Sequence, residues 1–564
     1  MPRARRLTLS AFCLASAVAL AAQSPAPSGG MHSIRVEPLQ EWLTFLSSDE
    51  LQGRATYSEG LGTAAAYIAE RLKECGVKPA GDNGTYFQAV RVHGVRNEGA
   101  SAVTVEVNGQ TRTFKDGEAI ALPRNPGGQQ AIAAGVVFAG YGLQLPAAKL
   151  DDYAPLDVKG KVLVWLGPQG PASMPSGSGR ILAARGRRAI ENGAVAAIGP
   201  PSPDERRGGR GGGGGDAGVA SPETAPHFTT VQRFDTPVPP LATAQDAFFE
   251  FLFSGSGVTY AALKEKAAKR EPLPTFALKG ARITFNINPK YSVVRTQLTK
   301  NVVGIVEGTD PALRDTYVVY GAHYDHSGYL EGPPRPGRSG QPPPDPNDRI
   351  YNGADDDGSG TVAIMAIARA FAEGPKPRRS LLFVWHAGEE RGLLGSRYNA
   401  DFPVVPVEKM LAHLNMDMVG RNRDNKPEES NTVYVVGSDR ISTELHNINE
   451  DANASLPRPL TLDYEMNDPA DPQSIYTRSD HYSYATKGIP IIFYFTGLHP
   501  DYHQVSDTVD KIVFDKVQRV AQLAYETGRR VANLDHAPVR DNRGPRVGTG
   551  WRGRVTGEGV SGKW

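Results

Sequence analysis

A chain of 564 residues is too long for one ordinary hydrophobic core and predicts two domains, with room for insertions. Its 40% hydrophobic and 22% charged residues are ordinary for a soluble globular protein. A formal net charge of +1 gives no global argument for binding nucleic acid or an acidic membrane surface.

Arg3, Arg5 and Arg6 precede an apolar run from Leu7 to Ala22, with Ala19-Leu20-Ala21 as a small-residue cleavage site. This pattern predicts a secretory signal peptide over residues 1–21, hence a secreted or periplasmic protein with no membrane attachment after cleavage. An uncleaved anchor is the alternative, but the run is short for a span. Of the two cysteines, Cys13 lies in the signal segment and only Cys75 remains. Without a disulfide, an exported chain of this size must be held by its core or by metal. Cys75 reads as a small buried hydrophobe.

From 38 to about 88 the pattern is helical, with Leu61, Ala64, Ala65, Ile68 and Leu72 on one face. Between 101 and 122 it turns to alternation, as in Val103, Val105 and Val107, which predicts strands. Apolar runs at 134–138, 162–166 and 194–198, with a helix over 181–191, complete a β-rich unit. A Gly-rich stretch at 207–215 is expected to be a flexible surface loop. Its arginines allow an RNA-binding reading, set aside because the stretch is short and single. From 301 strands alternate with helices: strands at 302–306, 317–322, 381–385, 410–416, 432–436 and 489–495, and a helix at 361–372. This predicts an α/β fold with a mixed, mainly parallel sheet flanked by helices. Function in such sheets collects where strands end. The Gly- and Arg-rich tail after Asp535 is expected to be disordered.

Acidic residues and histidines gather at those strand ends. Gly321-Ala322-His323-Tyr324-Asp325-His326 closes one strand. Residues two apart in a strand face the same way, so His323 can bind a metal while the Asp325 carboxylate takes the proton of its other ring nitrogen. Asp355, Asp356 and Asp357 precede an apolar helix, and three successive carboxylates repel one another without a cation. Capping by Asp357 or Ser359 explains one acid but not three. The strand from Ser380 ends in Glu389-Glu390. Adjacent side chains diverge there, so one can bind metal while the other faces substrate as general acid or base. Asp417 sits inside an apolar run, where a lone carboxylate needs a partner such as a metal ion. Tyr502-His503 lies in a polar loop after Phe495. His386 reads as structural and His413 as a satisfied core histidine. His326, Asp480 and His481 are candidates for lining the site.

In this order the series resembles the M28 family of zinc peptidases, the dinuclear aminopeptidases. Glu389-Glu390 with Gly392-Leu393 and Gly395-Ser396 carries the resemblance, as does Asn415-Met416-Asp417-Met418-Val419-Gly420. Ser479-Asp480-His481, Gly488-Ile489-Pro490 and the opening Leu46-Ser47-Ser48-Asp49-Glu50-Leu51-Gln52-Gly53-Arg54 extend it. The resemblance implies two zinc ions per chain. His323, Asp356 and Asp417 would hold one ion, and Asp356, Glu390 and His503 the other, with Asp356 bridging. Glu389 matches the catalytic base, and Tyr502 is a candidate donor to the oxyanion. Carboxylate and imidazole donors suit zinc, and three acids nearly balance two divalent cations. The implied activity is a metallopeptidase, an exopeptidase hydrolysing bonds at the free N-terminus of peptides.

Phe138-Ala139-Gly140-Tyr141-Gly142, Asp151-Asp152-Tyr153 and Asp157-Val158-Lys159-Gly160-Lys161-Val162 are similar to the protease-associated (PA) domain inserted in many members. The domain plan then reads 33–99 for the first catalytic part, 100–280 for the PA-like insert, 281–535 for the main catalytic part and 536–564 for a disordered tail. Two departures are Asp357, where many relatives carry Asn, and a Pro-rich insert at 332–346, expected to shape the mouth of the site. Peptide substrates are the expected partners, with no nucleic acid and no membrane. The alternatives are a carboxypeptidase or other amidohydrolase, including a glutaminyl cyclase, and a non-catalytic receptor-like binding protein. A carboxypeptidase needs a cation for the substrate carboxylate, and none can be placed from sequence. A non-catalytic member has no reason to keep every ligand.

Overall fold

The computed structural model describes residues 30–123, 125–145, 149–174, 178–201, 227–230, 234–331, 345 and 347–544. The expected signal peptide, the 207–215 loop, the 332–346 insert apart from residue 345, and residues 545–564 lie outside the described residues.

Continuous apolar runs such as Leu381 to Trp385 have no polar face to give to water, so a sheet built from them must be covered on both sides. The strands form a ten-stranded sheet. Its order is His227–Thr230, Phe87–Asn97, Tyr291–Val306, Ser380–His386, Tyr317–His323, Met410–Met416, Ile491–Phe495, Thr432–Val436 and Thr461–Asp463, with Lys78–Pro79 paired to Tyr291–Val306. The four central strands, from Ser380–His386 to Ile491–Phe495, are parallel. The strands flanking them pair antiparallel. Alternation sends Val318, Tyr320, Leu381 and Phe383 to one face and Val319, Leu382 and Val384 to the other. The first face is covered by the helices Val36–Leu46, Glu59–Glu74, Gly360–Glu373 and Phe514–Ala532, and the second by Leu394–Asp401 and His481–Ala485. Ser58 caps the second of these helices by accepting from the Leu61 amide. Cys75, half-buried, packs against this core and its thiol donates to the Leu72 carbonyl.

A second, eight-stranded sheet follows the order Gln110–Lys115, Ala102–Val107, Thr275–Ile287, Gln130–Ala139, Val162–Val164, Ala196–Gly199, Leu241–Ala244 and Ile120–Ala121. Its two edge strands are consecutive in the chain, so the sheet curls nearly closed around its own core of Val103, Val105, Phe114, Phe138, Phe248 and Phe285.

The structure corrects several expectations. The helix expected over 181–191 is two short ones, Gly179–Ala183 and Arg185–Glu191. The boundary at 280 cuts the strand Thr275–Ile287, whose later residues still pair with Ala102–Val107. His227–Thr230 lies inside the 100–280 span yet pairs with Phe87–Asn97 in the large sheet. The first part of the tail is ordered against the helix Thr443–Ala454. His536 Nε2 lies 2.8 Å from Glu444 Oε1, the Val539 amide donates to Glu444, and the Thr443 amide donates to Asp541. Among the described residues no helix is long and apolar enough to cross a membrane.

Candidate metal centre

Parallel strands end together, so the loops after 317–323, 380–386, 410–416 and 491–495 meet at one edge of the sheet. They bring His323, Glu389, Glu390, Asp417 and His503 around Asp356, which precedes the helix Gly360–Glu373. Asp356 faces both ways. Its Oδ1 is 3.2 Å from His323 Nε2, and its Oδ2 is 3.0 Å from His503 Nε2. On the first side Asp417 Oδ1 lies 3.7 Å from His323 Nε2. On the second, Glu390 Oε1 lies 3.1 Å from His503 Nε2. All five expected ligands therefore come together.

The loops are held from behind by long-range contacts. Arg54 is buried and donates to the carbonyls of Tyr324 (2.9 Å), Asn352 (2.7 Å), Gly353 (2.9 Å) and Leu46, tying the His323 and Asp356 loops to the N-terminal segment. Asp507 accepts from the amides of Asp355 and Asp356, both at 3.1 Å. Thr361 Oγ1 donates to the His323 carbonyl at 2.7 Å. Met418 and His503, each beside or within the ligand set, adopt φ of +56° and +58°, a left-handed backbone that non-glycine residues keep only where surroundings enforce it.

The expected role of Asp325 is corrected. His323 Nδ1 meets the main-chain carbonyl of Asp325 at 3.1 Å, and its distance to the Asp325 carboxylate is 3.7 Å, too long for a hydrogen bond. The carboxylate instead accepts from the Glu389 amide (3.1 Å) and the Thr56 hydroxyl (2.9 Å), so it positions Glu389. Asp357 accepts the amides of His323, Gly360 and Met418. That commits it to the scaffold and leaves Asp356 as the carboxylate facing both histidines, although Asp357 also stands near His323 and Asp417.

Burial resists charging of Asp356, but His323 and His503 hold its carboxyl well below the usual range. Burial likewise opposes the imidazolium of His503, yet Glu390 and Asp356 raise it to about 10. Burial pushes Glu389 well above the usual carboxylate range, with Glu390 and Asp417 adding to the rise against His323. Burial, with Asp356 and Glu390 adding to it, also raises the Tyr502 phenol, so it stays a donor.

In front of the set is a cleft of about 350 Å³, open mouth included. Asp356, Glu389, Asp417 and His503 form its polar wall, and Met418, Ile475, Phe493, Phe495 and Leu498 its apolar wall. Tyr502 stacks on His503 at 3.8 Å, and Arg478 Nη2 donates to its hydroxyl at 2.9 Å. Sequence reasoning missed Arg478, whose only local signal was its place before Ser479-Asp480-His481. Residues Arg187 and Arg188 of the β-rich domain reach Thr477 and Pro469, on the same segment that lends Ile475 and Arg478 to the cleft.

The plainer histidines divide. His386 is structural, with Nε2 2.9 Å from Tyr484 Oη and Nδ1 3.4 Å from Asp480. His481 accepts no place in the cleft wall and meets the Tyr476 carbonyl at 2.7 Å. Asp480, beside His386, is likewise not among the residues lining this cleft. His413 is buried but not satisfied: among the described residues neither ring nitrogen has a hydrogen-bond partner, and the ring stacks on Tyr484 at 4.0 Å. Burial holds it neutral. His326 is drawn into the metal set itself, its Nδ1 2.8 Å from Glu390 Oε1.

The donors fit divalent ions. His323 Nε2 and Glu390 Oε1 are buried with no hydrogen-bond partner among the described residues. In a tetrahedral set with bonds of about 2.0–2.1 Å, ligand atoms stand roughly 3.3 Å apart, close to the spacings here. Imidazole and carboxylate are borderline donors suited to zinc.

Residues 301–528 match the family model described as Peptidase family M28. The chain is similar to a "Probable leucine aminopeptidase 1" of Trichophyton verrucosum (strain HKI 0517), 27% identical over 232 residues that cover 40% of this chain and 55% of the relative. It is also similar to a "Probable leucine aminopeptidase" of Arthroderma benhamiae (strain ATCC MYA-4681 / CBS 112371), 30% identical over 31% of this chain and 48% of the relative. The chain thus spans about half the length of these curated relatives. Among solved structures, an aminopeptidase from Aneurinibacillus sp. strain AM-1 aligns over 93% of this chain and 100% of its own, with 18% identity and a TM-score of 0.44. A zinc aminopeptidase from Bacillus subtilis aligns over 90% and 98%, with 16% identity and a TM-score of 0.43.

Proposed function

We propose that this chain is a zinc aminopeptidase of the M28 family, exported by its N-terminal segment to the periplasm or outside the cell, with a PA-like domain set into the catalytic domain. The observation that carries the reading is Asp356, whose two oxygens face His323 and His503 from the middle of the ligand set. Two zinc ions bound by these donors would polarise the scissile carbonyl and lower the pKa of a water at the site. The match over residues 301–528 and the leucine aminopeptidase relatives support the same activity.

The chain's own groups then divide the work. Glu389, beside the ligands and held by the Asp325 carboxylate at its amide, takes the proton of the attacking water and returns it to the leaving amine. Tyr502, oriented by Arg478, donates its hydroxyl to the tetrahedral oxygen. The acidic wall favours a substrate's free ammonium, and Met418, Phe493 and Leu498 favour an apolar N-terminal side chain.

Arg478 supports a second reading. It supplies a cation in the cleft, and its Nη1 is buried with no hydrogen-bond partner among the described residues. A carboxypeptidase would use such a group for the substrate carboxylate. One panel separates the two. Purified protein with its metal content measured should cleave a leucyl peptide with a free amine and leave its N-acetylated form nearly untouched, while C-terminal amidation should matter little. Equal turnover of the acetylated peptide, with loss on amidation, would replace the aminopeptidase reading by the carboxypeptidase one.

A further inference from the structure

The ligand set read from the sequence gives each ion three donors, the bridging Asp356 included. We propose that His326 is a fourth protein ligand of the ion held by Asp356, Glu390 and His503, an inference that rests on the two-metal reading above.

Three observations converge. His326 is buried, and its Nδ1 lies 2.8 Å from Glu390 Oε1 and 3.9 Å from Asp356 Oδ2. His326, Asp356 and Glu390 each place one donor atom within 4.8 Å of the others. At 2.8 Å an N–H aimed at the carboxylate would be a good hydrogen bond, yet both Nδ1 and Glu390 Oε1 are buried without one among the described residues. Two such atoms, close but not directed at each other, are arranged as neighbouring ligands aimed at a common third atom. Neither ring nitrogen of His326 has a hydrogen-bond partner among the described residues, and in a buried site that is costly at Nδ1 unless something else binds it.

The ring's seat is built for it. A side chain at residue 353 would meet His326 Cγ and Cδ2 at 2.6 Å, so only glycine, here at φ +58°, leaves the imidazole room. The ring of His503 faces it edge-on at 5.6 Å.

The consequence is an asymmetric pair. His326, His503, Glu390 and Asp356 supply four protein donors, enough to close a zinc shell. His323, Asp417 and Asp356 supply three, which leaves a position free for water or substrate. The four-donor ion is then the tightly held one, and the ion beside His323 and Asp417 exchanges first.

The test titrates metal-free full-length chain with cobalt(II) and zinc(II) and reads stoichiometry, affinity and the visible spectrum of the cobalt form. The unmutated chain should bind two ions with separable affinities. His326→Ala should weaken the tighter one by about 100-fold or more and change the cobalt bands. His326→Gln keeps an N–H donor for Glu390 but is a poor ligand, so it should behave like the alanine variant. Cadmium-113 resonance of the unmutated chain gives an independent reading: two signals, one displaced as expected for two nitrogen donors. If His326→Ala bound both ions with unchanged affinity and spectrum, or if His326→Gln restored them, His326 would be a hydrogen-bonding neighbour and the proposal would fail alone. If the unmutated chain bound fewer than two ions, the two-metal reading would fail and this inference with it.

Discussion

Glu389 and Glu390 are neighbours in the chain with opposite environments. Glu390 faces His503 and His326, while Glu389 faces the cleft with its carboxyl held up by burial and by Glu390 and Asp417. Glu389→Gln should lower kcat by on the order of 10²–10⁴-fold with metal content and thermal stability near normal. Glu390→Gln should instead lose metal. Side-by-side zinc analysis and turnover of both variants checks the division, and metal loss from the glutamine at 389 would exchange the roles. Because Glu389 must be ionised to accept a proton, kcat/KM should fall in acid as its carboxylate becomes protonated. Arg54 is the other decisive residue. Burial lowers its guanidinium to about 10, so it stays charged at neutral pH, offset by four carbonyls and by Asp325 and Asp357. Arg54→Met leaves those carbonyls unpaired and should cost about 3 kcal/mol or more of stability. Urea unfolding together with zinc affinity would report it, since three of the freed carbonyls, those of Tyr324, Asn352 and Gly353, belong to ligand loops. A change under 1 kcal/mol with unchanged zinc binding would show that the clamp is dispensable.

The element that sets the site's frame is the strand Tyr317–His323, parallel to both neighbours and covered by the helices Gly360–Glu373 and Phe514–Ala532. Phe514–Ala532 approaches closely because residue 528 is glycine. A Cβ there would stand 1.8 Å from Tyr320 Oη, which donates to the Ala524 carbonyl at 3.1 Å. In an open helix Gly→Ala gains about 1 kcal/mol. Here overpacking should dominate, and Gly528→Ala should destabilise by about 1–3 kcal/mol. In a Tyr320→Phe background the hydroxyl is gone and the same change should cost clearly less. A double-mutant cycle in urea measures the coupling, and additive effects would mean the helix simply shifts.

At the scale of the whole molecule, the centre concentrates acids that only cations can balance, so metal removal is a stability event as well as a catalytic one. An ion bound at 100 times its Kd adds about 2.7 kcal/mol. Chelation should therefore lower Tm and abolish activity, both restored by zinc. The metal-free protein should also acquire a pH dependence. His503, raised to about 10, and His323, raised well above its usual value against burial, bind protons more tightly folded than unfolded. Their stabilisation is full below about pH 6.5 and is lost as pH rises through the folded values. Asp356 is lowered, so its contribution fails only in acid and does not oppose this trend. Tm of the chelated protein should fall from pH 6.5 to 10, while that of the zinc form, whose ligands are already deprotonated, should change less. Parallel Tm–pH profiles of the two forms would refute the linkage.

What the sequence determined by itself was the candidate donor set. His323, Asp356, Glu389, Glu390, Asp417 and His503 are legible because ligation demands particular side chains, and the loops that carry them follow short apolar strands with an obvious pattern. The α/β alternation was legible for the same reason. The long strand Tyr291–Val306 was not, beyond its last residues. Val293, Val294 and Leu298 are exposed, so its first half has no buried face to print a period, and the backbone ladder to Phe87–Asn97 holds it. Asp325 failed as a carboxylate partner because the two-apart rule needs a continuing strand, and this one ends at His323. Arg54, Arg478, Asp507 and the aim of His326 belonged to tertiary structure alone. Arg54 bonds Tyr324 across 270 residues and Asp507 holds Asp356 across 151. Contacts so distant in sequence leave no local spacing to read, and only the packed sheet edge brings their partners within hydrogen-bond reach.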